Sequence, residues 1–376
     1  MLINLLCKTF LKNALIGWYM FKGAVVLITG GTGSWGSFLV KHLLETQDVR
    51  EIRVYSRGEH KQVYLKRELN SNPKVKFIIG DVRDLNRLEV AAQNVDYVFH
   101  LAALKHVPVC EENASETVAT NVDGTKNVIL AAIRNSVKKV IYVSTDKAVD
   151  PINIYGISKA AAEKMIINAN KETPVTRFVC VRAGNVIGTE GSVFPLFREQ
   201  LLRINKISIT DKKMTRFFIA MNEAIELILK AAEKGYGGEV FVLKMKSIGI
   251  MDIVDIMKRT FGNDKTVIID IGIRPGEKIH ELLISRNESS RTKETPEHFV
   301  ILPTLDLGLT DKYAGYPSVS FQEYGSDSAP KFRLDEFTAL LKKDGWLGPD
   351  SSIMNIFKQY SNEEIINVFK KEGWLK

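Results

Sequence analysis

The 376-residue sequence predicts an α/β fold, a Rossmann-type doubly wound parallel sheet with a smaller, interleaved α/β lobe. Three observations carry this expectation. Short β-branched runs alternate with helical patterns from Ala24 to Arg182, the order expected of parallel strands covered on both faces. A glycine turn, Gly30-Gly31-Thr32-Gly33-Ser34-Trp35-Gly36, stands between the first run and the first helical pattern. From about residue 190 the alternation gives way to a mixed pattern of helices and short strands.

Composition narrows the class. With 45% hydrophobic and 26% charged residues the chain is of ordinary soluble, globular type. The net charge of +8 is spread along the chain without a block of five or six like charges. That argues against a nucleic-acid arm and for anionic small ligands. Cys7, Cys110 and Cys180 form no CxxC pair and suggest no disulfide framework, so a reducing cytoplasm is expected. No apolar run reaches membrane-spanning length, and no membrane insertion is expected. Within residues 1–20, Leu2 to Leu6 is apolar, but Lys8 and Lys12 interrupt it and no small-residue cleavage site follows. Three readings stand for this extension: an artefact upstream of a true start at Met20, a short interfacial helix, or an oligomer contact. The fold signal begins directly after Met20, which favours the first.

Taken in order, Ala24 to Thr29 reads as a strand and Ser37 to Glu45 as a helix. The glycines between them let a backbone approach a pyrophosphate, and the helix N-terminus adds N–H donors and a positive dipole end. Gly30, Thr32, Gly33, Ser34, Trp35 and Gly36 are therefore candidate cofactor contacts. A second strand, Ile52 to Tyr55, ends in Ser56 and Arg57 with Lys61 close by, where NAD-preferring proteins place an acid. A ribose 2′-phosphate matches this cationic end, so NADP is expected over NAD.

Strand Val75 to Ile79 leads to Asp81 and Val82, also candidate cofactor contacts. Asp81 can accept from an adenine amine or cap the next helix; both readings stand. Strand Tyr97 to Leu101 runs into Ala102 and Ala103, small enough to pass close over a cofactor, and Lys105, suited to phosphates or ribose. His106 reads as structural, since no other ligand stands at metal spacing, and no metal is expected. Asn121 is expected to begin a helix ending at Asn135 and to bond neighbouring strand backbone as scaffold.

The densest chemistry follows the apolar run Val140 to Val143. Ser144, Thr145, Asp146, Lys147, Tyr155 and Lys159 bring hydroxyl, carboxyl, amine and phenol groups within sixteen residues. Tyr155 and Lys159 stand four apart and share a helix face. Helix Ser158 to Asn170 and strand Arg177 to Arg182 complete the alternation. Ala183 to Gly188, including Asn185, then leaves the sheet at the strand edge where ligands of open α/β sheets sit. In the mixed half, the expected elements are helix Phe194 to Asn205, strand Ile207 to Thr210, helix Met221 to Lys234 and strand Val240 to Leu243. Ile273 to Lys278 is expected to precede a helix. Arg216 and Arg274 are candidate phosphate forks, and Asn185, Glu277 and Lys105 join them as candidate substrate contacts. A faint repeat relates Asp335–Leu347 to Glu363–Leu375, each copy a short helix ending at Gly with Trp packed after it. The expected organisation is thus the extension 1–20, an NADP-binding domain 21–190, a substrate lobe 191–347 interleaved with it, and an appended helical tail 348–376.

Several of these segments together resemble a known family. Thr29 to Gly36 and Tyr155-x-x-x-Lys159 resemble the extended short-chain dehydrogenase/reductases. Ser144 to Ala148, Pro151-Ile152-Asn153, Met214 to Phe217 and Ile273 to Lys278 are narrower. They resemble the UDP-N-acetylglucosamine 4,6-dehydratases of the inverting kind that begin pseudaminic acid biosynthesis, and their relatives in capsule-sugar pathways. The resemblance spans roughly Phe21 to Leu347. Several capsule-pathway relatives carry Met where this chain has Tyr155, whereas Gly156 to Ala160 looks like the capsule group. The resemblance implies a UDP-sugar substrate and NADP recycled within each turnover; a homo-oligomer is also expected. Tyr155 would take the 4-OH proton, helped by Ser144 or Thr145, with Lys159 favouring its ionised form. Lys147 would remove the C5 proton and Asp146 would protonate the departing 6-OH. A 4-epimerase and a non-catalytic NADP-binding sensor stand as alternatives. Simple 4-epimerases of this fold carry small, non-acidic residues after the Ser or Thr.

Overall fold

The computed structural model describes residues 20–189 and 192–347. Its strands are β1 (Val25–Thr29), β2 (Glu51–Ser56), β3 (Val75–Ile79), β4 (Tyr97–His100), β5 (Lys139–Thr145), β6 (Arg177–Ala183), β7 (Asn185–Val186), β8 (Lys206–Ile209), β9 (Thr215–Ile219), β10 (Val240–Leu243), β11 (Lys246–Gly249), β12 (Val267–Asp270), β13 (Leu282–Ile284), β14 (Thr292–Glu294), β15 (His298–Ile301) and β16 (Tyr324–Gly325). Among the described residues, nine of these form one sheet in the order β14-β15-β10-β6-β5-β4-β1-β2-β3. From β3 to β10 every pairing is parallel, while β15 and β14 add antiparallel edge pairs. The fold is therefore the Rossmann-type α/β class that the alternation predicts.

Strand chemistry explains the sheet. β1 reads Val-Val-Leu-Ile-Thr and is buried along its whole length, as a central parallel strand between two helical layers must be. Its alternate side chains enter separate cores. Val25 and Leu27 join one cluster with Val98, Tyr142 and Phe178, whereas Val26 and Ile28 join another with Leu39, Phe99 and Val181. A third cluster, around Phe194, Phe218, Ile253 and Phe337, is the core of the smaller lobe. The chain crosses between lobes more than once: β7, β9 and β11 form a three-stranded sheet, and β10, β14 and β15 return to the large one.

Five local expectations change. The helix expected from Ser158 begins at Ile154, so Tyr155 lies in its first turn. The first helix begins at Ser34, not Ser37, since the glycine turn leads straight into it. Asn121 does not start a helix; it lies in a π-turn, Ala119–Asp123, between helices Ala114–Val118 and Gly124–Arg134. No helix follows Lys278; the chain stays extended into β13, which pairs antiparallel with β16. The cap of helix Leu85–Ala92 is Asp84, whose carboxylate accepts from Arg87 N at 3.0 Å, so Asp81 is released from that task. The first copy of the C-terminal repeat folds as expected. Helix Leu334–Lys343 ends at left-handed Gly345 (φ 76°), and Trp346 N donates back to Leu341 O at 2.8 Å. The second copy lies outside the described residues.

One buried ion cluster ties β6 to helix Ile154–Asn168 and to the segment around β13. Arg182 on β6 donates to Glu163 of helix Ile154–Asn168 at 3.1 and 2.7 Å, and to Glu288 of helix Arg286–Ser289 at 3.0 Å. A further bond reaches the β13 carbonyl of Leu283 at 2.9 Å. Burial alone would raise the Glu288 pKa, but the Arg182 charge overrides it and brings it down to about 2. Replacing Arg182 by Met would leave two buried carboxylates facing each other, and should cost about 3–5 kcal/mol in urea unfolding. Because the folded-state value of Glu288 lies below the ordinary 4.5, its stabilisation is present above that pH and is lost as pH falls through about 2. Acid titration of thermal stability should therefore show a shallower fall for Glu288→Gln than for the parent chain.

Candidate active site

The strand order reverses beside β1, and the crevice at the C-terminal ends of β1 and β4 opens there. A cavity of about 1060 Å³ occupies it, at the upper end for small-molecule sites. Its floor is the glycine turn. Gly30 holds φ 68°, and a Cβ there would sit 2.8 Å from Ala102 N. A Cβ on Gly36 would lie 2.5 Å from both Gly30 O and Gly31 Cα. Helix Ser34–Thr46 begins at Gly33 without a side-chain cap, which leaves first-turn N–H groups for an anion. This cradle fits a dinucleotide pyrophosphate. Thr32, Trp35, Ala102, Ala103 and Lys105 also line the cavity.

The end of β2 carries no acid. Ser56 is buried, and its hydroxyl and carbonyl both accept from Gln62 Nε2 at 3.0 Å. Arg57 is 54% exposed on the cavity wall, 3.8 Å from Asp81. Asp81 also takes the Arg83 guanidinium at 2.7 Å, so although burial pulls its pKa upward, Arg83 and Arg57 set the net shift downward. Lys61 and Val82 complete this wall.

Across the cavity stands the acid–base cluster. Thr145 closes β5, and Asp146–Ala148 forms a single 3₁₀ turn capped by the Thr145 side chain. The turn aims Lys147 into the cavity. Its Nζ lies 3.1 Å from Asp146 Oδ1 and 3.5 Å from Glu281 Oε1. Burial works against the ammonium, but Asp146 and Glu281 together hold its pKa above the ordinary lysine value. Asp146 is only 1% exposed and stands behind Lys147 rather than in the wall; Thr145 donates to it at 3.0 Å.

Tyr155 lines the cavity and bonds the Thr145 side chain. Its pKa is pushed up to about 12, chiefly by burial, and Lys147 is the leading influence in the other direction. The expectation that Lys159 depresses it is not met in this arrangement. Lys159 Nζ donates to Val143 O at 2.6 Å and lies 4.1 Å from the Tyr142 ring centroid. Burial brings Lys159 itself down to about 7. Ser144 Oγ is buried without a hydrogen-bond partner among the described residues.

Scaffold bonds hold these groups in place. Asn121 accepts from Leu104 N at 2.8 Å and donates to Leu104 O and Ser158 Oγ at 3.0 Å each, so it fixes the loop after β4 against the Tyr155 helix. Asn153 caps that helix by accepting from Gly156 N at 2.7 Å, and it donates to Gly276 O at 2.7 Å. Lys278 Nζ donates to Val149 O at 2.6 Å. Arg216 lines the cavity, but its terminal nitrogens donate to the carbonyls of Thr215, Lys278 and Ile279 and to the Met214 sulfur. It braces the 278–279 backbone rather than presenting an open fork. Arg274 is exposed on the rim, with Glu277 folded back onto its backbone N–H at 3.3 Å. Asn185, in β7, faces the same space. Among the described residues no cluster of His, Cys, Asp and Glu could hold a metal ion.

Sequence reasoning missed Glu281 and Gln62. Gln62 sits on a helix whose face could be read from spacing. Glu281 gave no local signal, because its partner Lys147 is 134 residues away in the chain (281 − 147).

A doubly wound sheet with a glycine cradle at its switch point and a Tyr–Lys helix across the cavity defines a dinucleotide-binding protein of the short-chain dehydrogenase/reductase type. Residues 26–303 match the family described as "Polysaccharide biosynthesis protein", and the chain belongs to that family. It is 43% identical over 291 residues to the UDP-N-acetylglucosamine 4,6-dehydratase (inverting) of Campylobacter jejuni strain 81-176, covering 77% of this chain and 85% of the relative. It is 40% identical over 330 residues to the UDP-glucose 4-epimerase of Rickettsia conorii, covering 86% of this chain and 96% of that one. The X-ray structure of Pen from Bacillus thuringiensis superposes with a TM-score of 0.81 at 38% identity, covering 88% of this chain and all of that one.

The Gly36 contacts generate a direct test of the cradle. Gly36→Ala should weaken dinucleotide binding at least tenfold, about 1.4 kcal/mol, in isothermal titration, with far-ultraviolet dichroism unchanged.

Proposed function

We propose that the protein is an NADP-dependent UDP-N-acetylglucosamine 4,6-dehydratase acting in the cytoplasm. It inverts C5 and yields a UDP-2-acetamido-2,6-dideoxy-4-hexulose for surface polysaccharide or nonulosonic acid synthesis, of which pseudaminic acid is one. The carrying observation is Lys147, set on the cavity wall beside Tyr155 and between two carboxylates. A 4-epimerase needs to move a hydride and a hydroxyl proton; a dehydratase needs in addition a base and an acid for loss of water. The dehydratase relative supports the same reading. The 4-epimerase relative keeps a second reading in play, and that enzyme's product would retain its 6-OH.

When bound, the nicotinamide cofactor supplies the hydride acceptor for sugar C4 and the donor for C6. Tyr155 takes the 4-OH proton, assisted by Thr145 through their hydrogen bond. The high value of Tyr155 means that it works with the cations around it, Lys147 foremost. Lys159, near neutrality in its pKa, can charge or discharge during turnover. Lys147 removes the C5 proton that the 4-ketone acidifies. Asp146, whose Oδ1 accepts from Lys147 Nζ at 3.1 Å, is proposed to protonate the departing 6-OH. Arg274, Lys105, Asn185 and Glu277 are the polar contacts proposed for the UDP-sugar. Arg57, Ser56 and Lys61 are proposed to receive a 2′-phosphate. Self-association belongs to the same reading, supported by the exposed stripe Val267, Ile269 and Ile271 on β12 and the residue after it. The free thiols of buried Cys110 and Cys180 suit a reducing compartment.

Proton NMR of UDP-N-acetylglucosamine incubated with the protein and NADP⁺ should show a new C6 methyl signal. Lys147→Ala should reduce its rate of appearance by at least about 100-fold; an unchanged rate would remove Lys147 from the mechanism. Arg57→Ala should weaken NADP⁺ binding by roughly 10- to 100-fold, the worth of one charge-assisted hydrogen bond, and leave NAD⁺ binding unchanged.

A further inference from the structure

The end of β2 is shaped by one buried amide. Gln62 lies on helix Glu59–Glu68, on the same inward face as Leu65, and is 5% exposed. Helical spacing asks for an apolar side chain there, and a buried amide is costly unless its polar atoms are bonded. Gln62 Nε2 donates to Ser56 O and Ser56 Oγ at 3.0 Å each, and to Ile78 O at 2.9 Å. Two of these partners are carbonyls, which only accept, so the nitrogen end of the carboxamide is the one that faces β2. Ser56 O also accepts from Gly80 N at 3.1 Å, so both its lone pairs are taken. Ser56 Oγ, having accepted from Gln62, keeps its own O–H to give, and Ser56 lines the cavity. The neighbouring carboxylate, Asp81, is engaged as well: it accepts from Arg83 N at 3.0 Å and from the Arg83 guanidinium at 2.7 Å, with Arg57 3.8 Å away. A ribose 2′-OH needs an acceptor for its proton, whereas a 2′-phosphate calls for donors.

We propose that Gln62 determines the preference for NADP over NAD as a positioning residue: it occupies the acceptors at the end of β2 and turns the Ser56 hydroxyl into a donor toward the 2′-phosphate. This rests on the NADP-dependent reading above. Gln62 itself is not part of the cavity wall; it acts through Ser56, while Arg57 on the wall supplies the charge. With Gln62 in place, the strand end offers an O–H and guanidinium N–H groups, the polarity an anion needs. Without it, Ser56 O recovers a lone pair, and the hydroxyl can rotate to present its own lone pairs to the ligand. A strand end of that polarity suits the proton of a ribose 2′-OH. The amide thus does from behind the strand what an acid would undo from its tip: it keeps the dinucleotide-facing surface poor in acceptors.

The test is isothermal titration of the full chain with NADP⁺ and with NAD⁺, read as the ratio of the two dissociation constants. The parent chain should bind NADP⁺ more tightly. Gln62→Leu, close in volume and apolar, should weaken NADP⁺ binding about tenfold while NAD⁺ binding holds or improves. Ser56→Ala should move the ratio by a similar factor. Adding Gln62→Leu to Ser56→Ala should cause little further loss of NADP⁺ binding, because the amide acts through that hydroxyl. An unchanged ratio in Gln62→Leu would overturn the proposal. So would equal weakening of both dinucleotides, the mark of a residue that only supports the fold, and so would losses from the two substitutions that add in full. If Gln62→Leu does not fold, Gln62→Met takes its place. If neither folds, Ser56→Ala decides: a ratio that moves about tenfold upholds the donor role, and an unchanged ratio overturns it. A parent chain that binds NAD⁺ as tightly as NADP⁺ overturns the cofactor reading itself, a result separable from the others because it is read before any substitution is made.

Discussion

The site depends on one shared side chain. Asn153 uses both ends of its carboxamide: the oxygen caps the helix that carries Tyr155 and Lys159, and the nitrogen holds the carbonyl of Gly276 in the opposing lobe. Because an amide plane is rigid, the two bonds fix the helix start and the lobe loop in one geometry. Lys278 reaching Val149 O, and Arg216 gathering the carbonyls of Lys278 and Ile279, repeat the arrangement a few residues on. The wall opposite the glycine cradle is thus assembled from side chains that hold backbone, which leaves few degrees of freedom around Lys147 and Glu281.

Within this frame the two lysines are driven apart. Lys147 sits between carboxylates and keeps its proton, while burial, only partly offset by Glu163, brings Lys159 down to about 7. Opposed environments for like groups are how one site runs both acid and base steps near neutral pH. Tyr155 stands between these regimes, buried enough that its phenol needs nearby positive charge to ionise.

The parallel sheet and its cradle were legible in the sequence because they rest on local signals. Valine- and isoleucine-rich runs, the glycine turn and the Tyr155–Lys159 spacing each report on fewer than ten residues of chain. The misread segments depend on distant partners. Ile279, Leu282 and Leu283 show helical spacing, yet β13 forms because Tyr324 and Gly325 offer it an antiparallel edge. The π-turn at Asn121 is set by the demand that its amide reach both Leu104 and Ser158. Arg216 reads as a phosphate fork from its residue type alone, whereas its burial beneath the 278–279 backbone follows only from the three-dimensional path of the lobe. Glu281 belongs to the same class: a carboxylate gains meaning there from the amine it faces.

The indole of Trp346 lies so close over Gly188 that a Cβ would stand 2.5 Å from its ring nitrogen, and its ring packs against Phe194 in the small-lobe core. Thr189 and Ser192, just beyond that glycine, belong to the cavity wall. Shortening a recombinant chain past this tryptophan would therefore strip cover from the ligand-bearing half. A reporter or affinity handle joined after Leu347 would begin its path on that same side of the molecule.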